Sequence, residues 1–535
     1  MTERSETDLA RRWRAGTPLA LSLVAILCAV TIRAWTIAVP PLWLDEAYSA
    51  FAADHGFGFL WHVVPRYETH PPLYYTILHL WSGAFGRSLL ARRTLGLICG
   101  LASVAMLGLA ADRLGRLTGR DVIARRWLVA VMLTLAAFQP LMIDMTEQVR
   151  PYPVMTLGYA IGLYALLRLA EDGAARRAPG RHWIALFFAA QALVLWLHSL
   201  GPLFGLSTFI ALLIVVPRRG LTRADWAWLV GGQVLAGLVY LTALAILASQ
   251  APTWVKSTWL QFEPASVPDE VSYIYLNWNR WSRLIGLAAA IAGVAMLARR
   301  RGGGRIAGGL LVMALLPVAL SILLSATVSP VFLTRTLSAA TVPSLLLVGY
   351  GMVWPGRWQI AVLPVLLALI APMISVDKLH AGRPLQDWYG AIAWLAPRVA
   401  PGDTVWAYPN EAALPLAYAL RDEHRRLPLL LSVPAPVPAF ASGGFNPSGS
   451  RGVVSLYPAQ IDRLMTTPYA KTPPTIWLVR EVAGLYDPDD AMPAALERNR
   501  IVIATFHEGD IDIIGLRRRD LARVASPEQP QRRDH

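Results

Sequence analysis

Long apolar segments constrain this chain more than any other feature of its sequence. A helix needs about 20 mostly apolar residues to cross a bilayer. Eleven segments reach or approach that length: 17–39, 94–112, 127–143, 151–167, 183–199, 200–217, 225–248, 284–298, 306–327, 336–354 and 358–376. Only 16% of the 535 residues are charged, against about 25% in soluble proteins. The sequence therefore predicts an α-helical polytopic membrane protein with about eleven spans.

The arginine-rich loops predict the orientation, because short loops rich in Lys and Arg stay in the cytoplasm. Arginines cluster before residue 17, which precedes a retained first helix, and then in alternate loops: 112–126, 171–181, 217–223 and 299–305. The N-terminus is therefore expected inside and the chain after the last span outside. The net charge of +14 does not indicate a nucleic-acid partner, since the arginines lie in short clusters between apolar segments.

Segment 70–86 is also apolar, but counting it as a span would move every later arginine cluster outside. We therefore predict an interfacial helix along the outer surface. Arg87, Arg92 and Arg93 follow it and are interpreted as anchors whose charged ends reach the headgroups. The two cysteines, Cys28 and Cys99, lie in apolar segments, so neither a disulfide framework nor a cysteine metal site is predicted.

The composition changes near residue 377, where charged residues become more frequent. Residues 387–422 have the pattern helix, turn, strand, helix, and 474–482 and 500–520 are typical of further strands. A loop rich in Pro, Gly and Ser separates them at 431–450, and 526–535 is expected to be a disordered tail. We predict a transmembrane domain at 1–376 and a small extracytoplasmic α/β domain at 377–535.

Ionisable and polar residues occur in the loops predicted on the outer face. Such residues at membrane depth are costly and usually functional. They are Asp45, Glu46, Arg66 and His70 in the first loop, then Asp144, Glu147, Arg150, His198, Lys256 and Arg335. Their distribution predicts a site between the helices and the outer domain.

Several of these residues have a purely structural alternative. Asp45 is placed to cap a helix over 46–54, and Asp144 or Glu147 to cap the helix that follows them. His198 alone is more typical of a polar helix end, and Lys256 of a lipid-headgroup contact. These alternatives stay open at the level of sequence.

Two motifs resemble a known superfamily. Trp43-Leu44-Asp45-Glu46 after the first span, with His70-Pro-Pro-Leu-Tyr-Tyr75, is similar to the GT-C membrane glycosyltransferases. The resemblance is specifically to the bacterial relatives of protein O-mannosyltransferases and of the lipid A aminoarabinose transferase. It extends to Arg150-Pro-Tyr152, to a His that ends the fifth span and to an Arg that opens a late span. It covers roughly residues 15–376 and only loosely the outer domain.

The resemblance implies the activity and the roles of individual residues. These enzymes take a sugar from a polyprenyl phosphate and transfer it by an inverting displacement. Asp45 matches the proposed catalytic carboxylate, and Glu46 would orient it or bind the acceptor. The expected phosphate contacts are Arg66, His70, Arg150, Lys256 and Arg335, and the expected substrate contacts are Trp43, Tyr74, Asp144, Glu147, Tyr152 and His198. His70 stands where the aminoarabinose enzymes favour Lys, so that particular donor is not indicated.

The implied partners are a polyprenyl-phosphate-linked sugar, an extracytoplasmic glycan, lipid or protein acceptor, and the bilayer of a bacterial inner membrane. Some members of the superfamily bind a divalent metal between first-loop and second-loop carboxylates. That role stays open for Asp45, Asp144 and Glu147, and no other cofactor is predicted. The alternatives are an oligosaccharide transferase or ligase that uses a diphosphate-linked donor, and a lipid-linked sugar transporter or flippase. The internal repeats typical of transporters are not evident in the sequence.

The predicted orientation can be measured with reporter fusions. A reporter that is active only in the periplasm should be active when fused after Val376 and inactive when fused after Gly302. The opposite pattern would contradict both the orientation and the outer-face site.

Overall fold

A computed structural model describes residues 2–216, 221–277, 279–354, 359, 361–374 and 386–522, with side chains from Gly16 onward. Contacts divide the chain into two compact units. The helical unit comprises Met1–Ile37, His70–Ala248 and Leu260–Gly382, and the α/β unit comprises Ala38–Thr69, Ser249–Trp259 and Arg383–His535. The predicted domain boundary at 376 and the predicted tail at 526–535 lie outside the described residues, and both stay predictions.

The helical unit consists almost entirely of α-helices, as the apolar segments predict. They are Thr2–Ala34, Leu73–Phe85, Leu89–Leu117, Val122–Phe138, Pro140–Thr146, Tyr152–Ala174, Arg181–Leu197, Gly201–Val215, Arg223–Lys256, Val267–Tyr275, Arg280–Ala298, Gly303–Thr327, Thr341–Met352 and Val362–Ile370. The last residues of Arg223–Lys256 are grouped with the α/β unit.

Among the described residues, six helices are long and apolar enough to cross a membrane, or seven if one bent pair forms a single span. The remaining apolar helices, such as Arg181–Leu197 and Gly201–Val215, are shorter. The prediction of a polytopic membrane protein is confirmed, whereas the count of about eleven spans is not. The helix Leu73–Phe85 has 13 residues, or roughly 20 Å at 1.5 Å per residue. This length agrees with an interfacial position, which stays a prediction.

The segment predicted as one span at 127–143 is broken at Gln139. Val122–Phe138 and Pro140–Thr146 meet at an angle of 60°. Pro140 has no backbone N–H and disfavours the helical conformation at the residue before it. Gln139 accordingly has φ −67° and ψ 118°, and its side chain accepts a hydrogen bond from Met142 N at 2.6 Å.

Arg33 compensates for this break. Helix ends leave carbonyl groups without intrahelical partners, and the fully buried Arg33 donates to the carbonyls of Ala136 at 2.8 Å and Ala137 at 2.9 Å. A cation at a helix C-terminus also interacts favourably with the helix dipole. One arginine on the first helix therefore satisfies the carbonyls that Pro140 leaves open.

Two glycines allow the helices Arg280–Ala298 and Thr341–Met352 to pack backbone to backbone. A Cβ atom on Gly351 would lie 1.9 Å from the carbonyl oxygen of Ala289, and one on Gly293 would lie 2.0 Å from that of Leu347. Small residues at such crossings let membrane helices approach closely.

The α/β unit contains a sheet of five strands with helices on both faces. The strands are β1 (Thr404–Tyr408), β2 (Leu430–Ser432), β3 (Thr475–Glu481), β4 (Arg500–Glu508) and β5 (Ile511–Arg518), in the order β2-β1-β3-β5-β4. β1 pairs in parallel with β2 and β3, whereas β5 pairs antiparallel with β3 and β4. The helices are Leu44–Asp54, Phe57–His62, Trp388–Leu395, Ala413–Asp422, Pro458–Met465, Pro468–Lys471, Ala483–Tyr486, Ala491–Glu497 and Arg519–Ala522.

A hydrophobic cluster packs on each face of the central strands, whose successive side chains point to opposite sides. Trp477 and Trp388 belong to one cluster, and Trp406 and Met492 belong to the other. The helix, turn, strand and helix expected at 387–422 are present, as are the strands at 474–482 and 500–520. The prediction of a small C-terminal α/β layer is confirmed.

The glycine crossing leads to a stability prediction. We expect Gly351→Ala to destabilise the protein by about 1–3 kcal/mol, the usual cost of overpacking, because the added methyl meets a backbone carbonyl. The midpoint of thermal unfolding in detergent measures the effect. Gly237→Ala is the matched control, since a Cβ there has nothing within 4 Å. Equal midpoints for the two variants would contradict the close approach.

Candidate active site

Asp45 and Glu46 lie in the first turn of the helix Leu44–Asp54, hereafter the Asp45 helix. The N-cap is Trp43, so the alternative that Asp45 caps this helix does not hold. Acidic residues in a first turn are stabilised by the helix dipole. Glu46 is fully buried and Asp45 is half-buried, so Asp45 is the more accessible of the two carboxylates.

Two buried acids of the α/β unit interact electrostatically with Asp45. Glu411 follows β1, and Glu481 ends β3. The pKa of Glu411 is raised to about 7, mainly by burial. The negative charges of Asp45 and Glu68 contribute to this rise, and the hydroxyl of Tyr486, which donates a hydrogen bond to Glu411, opposes it. Burial also raises the pKa of Glu481, and the charges of Glu411 and Asp45 contribute.

Two predicted phosphate contacts of the α/β unit are exposed cations. The Arg66 guanidinium lies over the ring of Phe440, 4.7 Å from its centroid, and Lys256 is in the last turn of its helix. Neither position distinguishes a phosphate contact from a lipid-headgroup contact.

The helical unit brings two histidines together. The rings of His70 and His198 are 4.2 Å apart. His70 Nδ1 accepts from the backbone N–H of Ser199 at 3.4 Å, and His198 Nδ1 accepts from that of Leu200 at 3.0 Å. Because each Nδ1 is an acceptor, each ring is assigned the tautomer with its proton on Nε2. His198 Nε2 is buried, without a hydrogen-bond partner among the described residues.

Two arginines act on this histidine pair. The pKa of His70 is lowered to about 3, first by burial and then by the positive charges of Arg150 and Arg335. The buried Arg150 lies 5.8 Å from the ring of Tyr152, which is itself 5.8 Å from the ring of His198. The cluster therefore combines neutral N–H donors with guanidinium groups, a combination that suits an anion.

The second-loop carboxylates have other neighbours. Asp144 accepts a hydrogen bond from the Tyr273 hydroxyl, and the charge of Glu147 acts on Arg33. The following helix has Pro151 as its N-cap, so the capping alternative does not hold for either acid. The predicted substrate contact Tyr74 is buried, with its ring 5.8 Å from that of Tyr75.

The interpretation of Arg92 and Arg93 as surface anchors is wrong. Both are at most 3% exposed. Arg92 donates to the carbonyl of Arg87 at 3.1 Å, and Arg93 to that of Ile37 at 3.0 Å. Buried guanidinium groups need such partners, and these carbonyls supply them. Arg87 is exposed, as an anchor would be.

The structure thus forms one candidate cluster within each unit. His70, Arg150, Tyr152, His198 and Arg335 interact in the helical unit, and Asp45 interacts with Glu411 and Glu481 in the α/β unit. Sequence reasoning missed the last two acids and their neighbours Gln386 and Tyr486. None of these four residues belongs to a recognisable motif. The one signal in the sequence was Glu481, an acid within the apolar strand segment "IWLVREV".

The candidate metal ligands lie in different parts of the structure. Among the described residues, no group of three or more His, Cys, Asp or Glu could hold a metal ion. Asp45 belongs to the α/β unit and Asp144 and Glu147 to the helical unit, so a metal role for this set stays open, and we derive no step through a metal.

Solved structures share this architecture over nearly the whole chain. ArnT from Cupriavidus metallidurans in the apo state aligns with a TM-score of 0.59 at 13% identity, covering 96% of this chain and 99% of ArnT. The same protein bound to undecaprenyl phosphate aligns with a TM-score of 0.58 at 13% identity, and the alignment covers 94% of this chain and 98% of ArnT. An oligosaccharyltransferase from Archaeoglobus fulgidus in the apo form aligns with a TM-score of 0.50 at 11% identity, covering 92% of this chain and 73% of the transferase.

No family model matches this chain, and no curated protein does. At such low identity, structural likeness establishes the fold alone. ArnT, the lipid A aminoarabinose transferase, and the oligosaccharyltransferase are both GT-C glycosyltransferases. The resemblance seen in the sequence motifs is confirmed at the level of architecture, and this chain has the GT-C glycosyltransferase fold.

Proposed function

We propose that this chain is a membrane glycosyltransferase that moves a sugar from a polyprenyl-phosphate donor to an extracytoplasmic hydroxyl with inversion at the anomeric carbon. One observation carries the proposal: the pair of neutral imidazoles, His70 and His198, beside Arg150 and Arg335 in a membrane-spanning unit. The fold supports it, because ArnT, which has been solved with undecaprenyl phosphate bound, is similar over 98% of its length.

The histidine pair suits a phosphate on a lipid. Each ring keeps an Nε2–H donor, and the two arginines supply the positive charge that a phosphate monoanion or dianion requires. The lipid tail would keep the phosphate close to the bilayer. When the bond between the sugar carbon C1 and the phosphate oxygen breaks, negative charge grows on that oxygen, and fixed donors in a partly dry site stabilise it. Arg66 and Lys256 are further proposed phosphate contacts.

Asp45 is the proposed general base. The acceptor oxygen attacks C1 and forms the new glycosidic bond, its proton passes to Asp45, and polyprenyl phosphate leaves with the electron pair of the broken bond. Glu46 is proposed to orient Asp45 or to bind the acceptor, as the family implies. Trp43, Tyr74 and Tyr152 are proposed to contact the sugar or acceptor through their aromatic faces.

Glu411 and Glu481 support this role for Asp45 by electrostatics. Like charges that lie close together repel each other, and the raised pKa values of both buried acids favour their neutral forms. We propose that these neutral forms limit the electrostatic repulsion around the proposed base. We also propose the inner-membrane location, with the N-terminus in the cytoplasm and the α/β unit outside.

A transfer assay with two variants tests the function. Full-length protein in nanodiscs receives polyprenyl-phosphate sugars labelled in the sugar, and the label is followed into an acceptor extract. Asp45→Asn should lower transfer by at least about 10²-fold, the lower end for loss of a general base, while undecaprenyl phosphate still binds. Arg335→Gln should weaken that binding, because it removes a positive charge from the phosphate site.

Other outcomes separate the alternatives. Transfer from diphosphate-linked sugars only would indicate an oligosaccharide transferase, and movement of the intact labelled lipid across the bilayer would indicate a flippase. Wild-type turnover by Asp45→Asn would falsify the catalytic role of Asp45 and leave Glu46 as the next candidate.

The raised pKa of Glu411 predicts a pH effect on stability. The folded protein holds this proton more tightly than the unfolded chain, so the stabilisation is complete below about pH 4.5 and is lost as the pH rises through about 7. A shift from 4.5 to about 7 corresponds to about 3 kcal/mol, at 1.36 kcal/mol per pKa unit. Glu411→Gln should therefore reduce the fall in thermal stability between pH 5 and pH 8.

Unfolding midpoints of the full-length protein in detergent at several pH values measure this effect. Glu497→Gln is the control, because this glutamate is exposed and its replacement should leave the pH dependence unchanged. Identical pH dependence in wild type and Glu411→Gln would show that Glu411 does not titrate in this range.

A further inference from the structure

The start of the Asp45 helix is held by a side chain far away in the sequence. The first N–H groups of a helix have no intrahelical acceptor, and the N-cap Trp43 cannot supply one, because its indole is a donor only. The N–H of Leu44 instead donates to Gln386 Oε1 at 3.0 Å, across 342 positions of sequence.

Gln386 is itself oriented by two further hydrogen bonds. The indole N–H of Trp388 donates to the same Oε1 at 3.1 Å, and Gln386 Nε2 donates to Glu481 Oε1 at 2.5 Å. Two N–H donors on one end and a carboxyl oxygen on the other leave only one favourable orientation of the amide. Trp388 and Glu481 are fully buried, and Gln386 is 7% exposed. Glu481 belongs to β3, a central strand of the sheet, so this network ties the helix start to a rigid element.

The other end of the Asp45 helix is held by the same layer. Asp54, its last residue, accepts a hydrogen bond from the Tyr418 hydroxyl at 2.6 Å. Tyr418 lies on the helix Ala413–Asp422, which packs against the Asp45 helix. An acid at a helix C-terminus is unfavourable for the helix dipole, and the tyrosine donor offsets part of that cost.

We infer that Gln386, supported by Trp388 and Glu481, is a positioning residue for Asp45, and that Tyr418 holds the opposite end of the same helix. Asp45 directly follows Leu44, so the hydrogen bond that Gln386 Oε1 accepts from Leu44 N–H acts one residue from the proposed base. This inference rests on the proposed function of Asp45. It assigns the C-terminal layer a role in catalysis that requires no contact with the sugar.

The test compares Gln386→Leu with Gln460→Leu in full-length protein. Gln460 is a matched control because it caps a different helix of the same unit, Pro458–Met465, by accepting from Tyr457 N at 3.0 Å. We expect Gln386→Leu to lower kcat at least about tenfold with little change in undecaprenyl-phosphate binding, since misplacement by about 1 Å can cost 10²-fold. Gln460→Leu should keep the wild-type kcat.

Hydrogen exchange provides a readout that does not depend on activity. Backbone amides of residues 44–48 should exchange faster in Gln386→Leu than in Gln460→Leu, because the first turn of the Asp45 helix loses its acceptor. Tyr418→Phe removes one hydroxyl and keeps the packed ring, so it is the alternative variant if Gln386→Leu does not fold. Tyr418→Phe should raise hydrogen exchange near Asp54 and lower kcat by a smaller factor than Gln386→Leu does.

The outcomes separate the two hypotheses. A wild-type protein without transfer activity would refute the proposed function, whatever the variants do. An active wild type with equal kcat values and equal exchange in Gln386→Leu and Gln460→Leu would refute the positioning role alone. If Gln386→Leu does not fold, the test depends on Tyr418→Phe. A kcat and a hydrogen exchange equal to those of the wild type in Tyr418→Phe would then refute the positioning role.

Discussion

The absence of water inside a bilayer is the constraint on which the rest of this structure depends. Every backbone N–H and carbonyl in a membrane-spanning region must find its partner within the protein. Pro140 creates a break that violates this rule locally, and the buried Arg33 repairs it by donating to two carbonyls at the broken helix end. A bent pair of helices followed by the Arg150 loop is therefore compatible with the membrane.

The same low polarity determines the chemistry available to the histidine cluster. Charged groups are expensive to bury unless they are paired. His70 avoids this cost by staying neutral, because burial and the positive charges of Arg150 and Arg335 lower its pKa. A neutral imidazole still donates a hydrogen bond through Nε2. Imidazole N–H donors beside two guanidinium groups suit an anion, and the lipid-linked phosphate of the proposed donor is such an anion.

The α/β unit shows how residues far apart in sequence hold one short helix in place. The Asp45 helix has only 11 residues, and helices of that length are marginal without tertiary support. Gln386 at its start and Tyr418 at its end provide that support from one buried sheet and one packed helix. Glu411 and Glu481 in the same unit have raised pKa values, so the proposed base lies near acids that favour their neutral forms. Position and electrostatics are thus both supplied by the C-terminal layer.

The sequence by itself determined the membrane class, the helical segments, the C-terminal strands and the motif around Asp45, because hydrophobic length, strand alternation and local motifs are short-range properties. It also indicated His70, Arg150, His198 and Arg335 as polar residues in apolar surroundings. Only the tertiary structure decided the break at Gln139, the burial of Arg92 and Arg93, the tautomers of the histidine pair and the participation of Gln386. These depend on contacts between residues far apart in sequence, and an isolated Gln or Glu has no local pattern that reveals its partner.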